Sequence, residues 1–286
     1  MKKLCAACGS LNEIRAACAC ECDEIVLIGE DSIWGRKQLS ASELPAALDM
    51  AKEAGRPVSV LFDRLFSEDE IADAQILLRE MLRDGAEAVW VSDPGLMQED
   101  VIAKLIYQPG MLVTDSADAA FWMKCGCLSA AVSPLLTFEE LYEIVKKVPD
   151  LSVMIHGCFP MSVSGRKLIS AYEQESGCAD LSGRSDLSLI EEKRSERMPV
   201  KENAWGTVIF NDRIQESFEE VRRLRNEKIS RFVIFAEEGT EYLCDTIRLY
   251  RKILDEKDSD EDLAAYRERW QSLPLSKSYY MEKTIK

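Results

Sequence analysis

One histidine, His156, is all the imidazole in this 286-residue chain, so any Ser-His or Cys-His chemistry has a single place to be centred. There is no Walker loop, no Gly-x-Gly-x-x-Gly turn after a strand and no His-Glu-x-x-His pair, which removes the nucleotide-cradle and zincin readings. Cations are also short. The 36 Lys and Arg against 51 Asp and Glu leave a formal net charge of −15, which argues against gripping nucleic acid or an anionic membrane through bulk charge. Only 14 Gly and 9 Pro, with 47% hydrophobic residues, describe a packed globular chain and not a disordered or fibrous one. No run of about 18 apolar residues is present to cross a bilayer. Residues 1–5 lead into further cysteines and then charged residues, without a signal-like apolar core, so a cytoplasmic protein is expected, with no membrane partner. In that compartment the ten cysteines should be thiols or metal ligands, not disulfides.

What is present is an alternation. Apolar runs of strand length at 4–8, 25–28, 58–62, 89–91, 111–113, 128–132, 153–155 and 232–235 are each followed by a helix-period segment. Expected helices lie at 11–18, 44–54, 67–83, 97–105, 116–124, 138–145 and 244–254. Ser67 and Thr137 stand as N-caps ahead of first-turn acids. The strand runs are continuously apolar, as expected when both faces are covered. Eight such units predict a TIM-like (β/α)8 barrel in a single domain, 1–286. Between the seventh and eighth strands lie about seventy residues, 157–229, where a turn and one helix would suffice. Long loops in compact domains are usually functional or disordered, and this one leaves the strand C-termini, where barrel active sites are built. Within it, 206–210 reads as an added strand and 213–226 as a helix. The tail, 255–286, begins as an acidic amphipathic segment.

His156 closes the seventh strand on the catalytic face of that barrel, and Cys158 lies two residues on; the alternative readings are a satisfied structural histidine and a buried thiol. Glu30, Arg36 and Asp93 follow the second and fourth strands and face the same rim. Asp93 could equally cap the next helix, and Glu30 with Arg36 could be a structural ion pair. Cys5-x-x-Cys8 does not read as a metal knuckle, because residues three apart on a strand point to opposite faces. Cys18, Cys20 and Cys22, like Cys125 and Cys127, fall at helix ends and turns, and no metal site is expected.

From Val153 through His156-Gly-Cys-Phe-Pro to Ser164-Gly165-Arg166 and Ser170-Ala-Tyr172, the chain resembles the signature of the peptidase U32 family, the collagenase-like proteins. Ile25 to Glu30 with Arg36, the Asp93-Pro94-Gly95 turn, the Glu-Lys193-Arg194 stretch running to Pro199, and Glu202 to Asn211 with its Gly206-Thr207 extend the likeness over nearly the whole chain. The resemblance implies a barrel-like fold of the short Gram-positive type. It also implies a role in oxygen-independent or prephenate-dependent hydroxylation, above all of tRNA wobble uridine, beside a second, longer U32 protein as companion. Peptide hydrolysis through His156 and Cys158, or a non-catalytic scaffold, are the alternatives. On this likeness His156, Glu30 and Asp93 are the expected catalytic residues, and Arg36, Arg166, Tyr172, Lys193 and Arg194 the expected substrate-binding ones. No cofactor is expected, since the cysteines of cluster-binding members are replaced here by Pro160 and Lys167. Ser133-Pro134 and Ala236-Glu237-Glu238-Gly239 also depart from the family pattern at the sixth and eighth strand ends.

Overall fold

The computed structural model describes residues 2–178, 180–184, 186–193 and 196–281. Seven parallel strands come first: β1 (Lys3–Cys8), β2 (Glu24–Ile28), β3 (Val58–Phe62), β4 (Ala88–Val91), β5 (Leu105–Tyr107), β6 (Ser129–Ala130) and β7 (Leu151–Gly157). Five helices separate them: α1 (Leu11–Ala19), α2 (Leu44–Glu53), α3 (Ile71–Arg83), α4 (Ser116–Lys124) and α5 (Phe138–Lys147). The chain then inserts β8 (Pro160–Ser164), α6 (Leu168–Ser176), β9 (Ser188–Leu189), β10 (Met198–Asn203), β11 (Gly206–Phe210), β12 (Ile214–Glu216) and α7 (Phe218–Leu224). It returns to the wall with β13 (Ile229–Phe235) and ends with α8 (Thr240–Leu254), α9 (Asp260–Arg269) and β14 (Leu275–Ser276). No helix among the described residues is long and apolar enough to cross a membrane.

The wall curls into a ring. β13 pairs with β1 on one side and β7 on the other, and β1 to β6 follow in sequence order. A parallel bridge from Ala131 to Ser152 joins β6 to β7, with the Val132 N–H donating to the Ser152 carbonyl at 3.0 Å. Closure holds only at the N-terminal half of β7. Its C-terminal half is met instead by β12, running antiparallel with Glu216 opposite His156.

Alternation sorts the side chains into two layers. Cys5, Val26, Leu61, Trp90, Ile106, Met154 and Val233 fill the ring, while Leu4, Leu27, Val60, Val89, Leu105, Val153 and Phe232 pack outward under the helices. Cys5 thus faces in and Cys8 out. The N-terminal end of the ring is plugged by charge. Glu24, 1% exposed, accepts from Lys3 Nζ at 2.8 Å, Ser59 Oγ at 2.7 Å and Arg231 Nε at 3.2 Å. Burial opposes ionisation there, but Arg231 and Lys3 hold the Glu24 carboxyl below its ordinary value.

The helix ends follow local rules. Thr137 forms a capping box with Glu140 at the start of α5, and Ser259 forms one with Asp262 at the start of α9. Three expected elements differ. Residues 97–105 form no α-helix; single 3₁₀ turns at Pro94–Leu96 and Ile102–Lys104 lead straight into β5. The fifth strand is therefore Leu105–Tyr107 and not 111–113, which lies beyond the Pro109-Gly110 turn. The expected helix at 213–226 is divided, because residues 214–216 pair with the end of β7 before α7 begins.

Candidate functional site

Four of the inserted strands form a second sheet, ordered β8-β11-β10-β9, and lie over the C-terminal mouth of the ring. Gly206, at φ +148, is required at the start of β11, because a Cβ there would stand 2.1 Å from the Ser164 carbonyl oxygen of β8. Its neighbour Trp205 fastens the roof to the rim. The indole Nε1 donates to the Glu30 carbonyl at 3.0 Å. The Arg64 guanidinium lies 3.5 Å from the centroid of Trp205 and 3.9 Å from that of Phe66, and pairs with Asp31 at 3.0 Å and Glu70 at 3.1 Å.

Between roof and ring is a cavity of about 460 Å³. Its lower wall comes from the loops after β3 (Asp63, Arg64) and β4 (Ser92, Pro94) and from Tyr107 at the end of β5 with Pro109 and Gly110 beyond it, and its upper wall from Val163, Ser164, Asn203 and Trp205 to Val208. Asp63 has no exposure. One carboxyl oxygen accepts from the Ile33 N–H at 3.2 Å, and the other has no hydrogen-bond partner. Burial pushes this carboxyl up to about 7, against the lowering pull of the Ser32 hydroxyl and the Ile33 N–H. A carboxyl held near neutrality in a cleft by desolvation marks a candidate functional group.

The expected catalytic trio is not brought together. His156 was expected on the mouth, but the pairing of β7 with β13 skips Ile155, so that Val233 stands opposite Met154 and Ile234 opposite His156. This bulge reverses the alternation, and His156 turns out of the ring. Its Nε2 lies 2.7 Å from the Tyr242 hydroxyl and its Nδ1 3.3 Å from that of Tyr250. The rings of Phe218 and Tyr266 complete the enclosure. Burial drives the imidazole down to about 3, so it stays neutral. Asp93 caps a turn: its two oxygens accept from Gly95 N–H at 2.8 Å and Phe66 N–H at 2.9 Å. Glu30 is exposed and lines a separate groove of about 320 Å³ between α2 and α3.

The expected binding residues are dispersed. Arg36 pairs with Glu237 at 3.2 Å and with Glu238, its charge balanced by the loop after β13. Arg166, Tyr172 and Lys193 are exposed on the inserted segment, and Arg194 lies outside the described residues. Cys158 cannot serve as partner to His156. Its thiol donates to the Asn211 carbonyl at 2.8 Å beneath the roof, and burial pushes it up to about 12 although Arg36 opposes the shift. An iron–sulfur cluster needs converging thiolates. Cys158 is committed to Asn211, Cys178 is exposed at the end of α6, and among the described residues no three His, Cys, Asp or Glu side chains are grouped to hold a metal ion. Asp63 and Arg64 were missed by the sequence reading. They follow the third buried strand directly, so the rule applied to the second and fourth strand ends finds them too.

"tRNA hydroxylation protein P" of Escherichia coli (strain K12) is 24% identical over 232 residues, with 63% of this chain and 51% of that protein covered. The protein of the same name from Haemophilus influenzae is 26% identical over 175 residues, covering 57% and 37%. The chain therefore spans about half of the first relative and less of the second. Among solved structures, a U32 peptidase matches with a TM-score of 0.50 at 18% identity, covering 84% of this chain and 94% of that one. A tryptophan synthase chain from M. tuberculosis matches with a TM-score of 0.51 at 10% identity, covering 88% and 93%; likenesses this remote speak for the barrel fold alone. The profile of Peptidase family U32 matches residues 9–285, and the chain belongs to that family.

Proposed function

We propose that this chain acts in hydroxylation of tRNA, with the wobble uridine as target and a longer U32 protein as companion, and that the roofed mouth receives the base. One observation carries the reading: a cavity of about 460 Å³ with the buried, half-unpartnered carboxyl of Asp63 in its wall. That size falls in the range of about 300–1,000 Å³ typical of small-ligand pockets, suited to one extruded nucleotide. The apolar lining from Pro94, Pro109, Val163 and Val208 favours a flat ring over a charged group. Uridine offers a ring N–H that a carboxylate accepts. A net charge of −15 suits a protein that leaves most phosphate contacts to its companion, with Arg166 and Lys193 as this chain's own contribution.

A peptidase would need nucleophile and base within hydrogen-bond reach. His156 and Cys158 face opposite sides of the wall and are satisfied by other groups, so no observation favours that reading. The test is mass spectrometry of nucleosides from tRNA of a deletion strain. Hydroxyuridine should fall, return with the intact chain, and fail to return with Asp63→Asn. An unchanged hydroxyuridine level in the deletion strain ends the proposal.

A further inference from the structure

Lys201 stands apart from the other lysines of the roof. Its partner across the β10–β11 pair is Val208, which packs with Cys158 and Phe210 on the underside, so Lys201 also points down toward the ring. Its ammonium donates to the Gly35 carbonyl at 3.3 Å, and among the described residues it forms no ion pair within salt-bridge distance. Burial lowers it to about 8, with Glu237 opposing the shift. Beside it is a small cavity of about 170 Å³, whose walls include Arg36, Arg184 and Phe210.

The carboxylates nearby are already engaged. Glu237 accepts from Arg36 and from the Lys37 N–H; Glu202 caps α6 through the Ile169 and Ser170 N–H groups at 2.7 and 3.2 Å; Asp186 takes two donors of Arg184. These bonds use Nε and Nη2 of each arginine, leaving both Nη1 groups and the remaining Lys201 protons uncommitted among the described residues. One Nη1 group from each arginine and an ammonium around one small space supply donors for the oxygens of a single oxyanion.

We propose that this cavity is an oxyanion subsite, taking one phosphate or carboxylate group through Lys201, Arg36 and Arg184. The group comes either from a free small anion or from a backbone phosphate of a polynucleotide. The subsite is separate from the base cavity and does not rest on the tRNA reading.

The test is calorimetric titration of the purified chain at pH 7 and low ionic strength with inorganic phosphate, with malonate and with a short RNA oligonucleotide. Intact protein should bind at least one of them. Lys201→Gln and Arg184→Gln should each weaken that binding tenfold or more, while Lys146→Gln on α5 should leave it unchanged. Binding of phosphate or malonate identifies a free anion as the source; binding confined to the oligonucleotide identifies the backbone. Arg184 is exposed, so its variant keeps the test valid if Lys201→Gln proves unstable. Intact protein that binds none of the three, or variants that bind as tightly as the intact chain, overturns the proposal. Hydroxyuridine in cells is scored separately, so either idea can fail alone.

Discussion

Asp63→Asn should make the protein more stable, and only at the upper end of the pH range. The native carboxyl is fully buried, accepts one backbone N–H and leaves its second oxygen unpaired. Its pKa in the folded state is pushed to about 7, whereas in an unfolded chain it titrates in the usual carboxylate range. A raised folded value means that the stability present below the unfolded pKa is lost as pH climbs toward 7, where the folded state must at last ionise. A difference of this size corresponds to about 4 kcal/mol, and about 2–4 kcal/mol after local relaxation. The amide isostere keeps the acceptor for Ile33 and never ionises. For a domain of this size each kcal/mol shifts the melting temperature by roughly 2–4 °C, so Asp63→Asn should melt roughly 5–10 °C above the parent at pH 8. The gap should close near pH 4. Calorimetric melts of both proteins at several pH values give the answer. A gap that does not change with pH, or a variant less stable than the parent at pH 8, refutes the account of the mouth as a desolvated acid site.

Three further outcomes follow from named contacts. Glu24→Ala leaves Arg231 buried without its carboxylate and should cost roughly 3–5 kcal/mol, read by urea denaturation at pH 7; a loss under about 1 kcal/mol would mean that the basal charge plug is not coupled. His156→Gln should flatten the acid limb of the stability curve. The native imidazole refuses a proton down to about 3 while the unfolded one accepts it near the usual 6.5, so stability drains as pH falls between those values, and identical limbs for parent and variant would show an accessible ring. Alkylation of the native protein followed by mass spectrometry should label the exposed Cys125 and Cys178 first, with Cys158 protected until unfolding; early labelling of Cys158 would contradict its burial and its bond to Asn211.

Most of the wall was readable because buried parallel strands are continuous apolar runs, and seven of the eight expected runs overlap wall strands. The fifth was displaced because Leu105-Ile106-Tyr107 is too short to stand out, while 111–113 is equally apolar but follows a turn at Pro109-Gly110. The family signature around residues 153–172 was also legible, and the profile match agrees with it. The orientation of His156 was not. Period-two reasoning places it inside with Met154, and only the skipped residue at Ile155, a matter of pairing between two distant strands, turns it outward. Asp93 shows a different limit: its Asp-Pro-Gly context is compatible with both a site and a cap, and only the bonds to Gly95 and Phe66 decide. Asp63 was legible in place but not in character, since its desolvation depends on residues 32–34 folding over it.

The sheet fastened by Trp205 across the top of the ring also sets how anything can get in. An uncovered barrel receives its guest from above, along the axis, and tolerates a wide one. Here the second sheet stands over that approach as a ceiling pinned at the Arg64 stack. A large visitor must therefore stay outside and slip in only a thin, protruding part, so selection begins with what the visitor can extend before any contact in the interior is made.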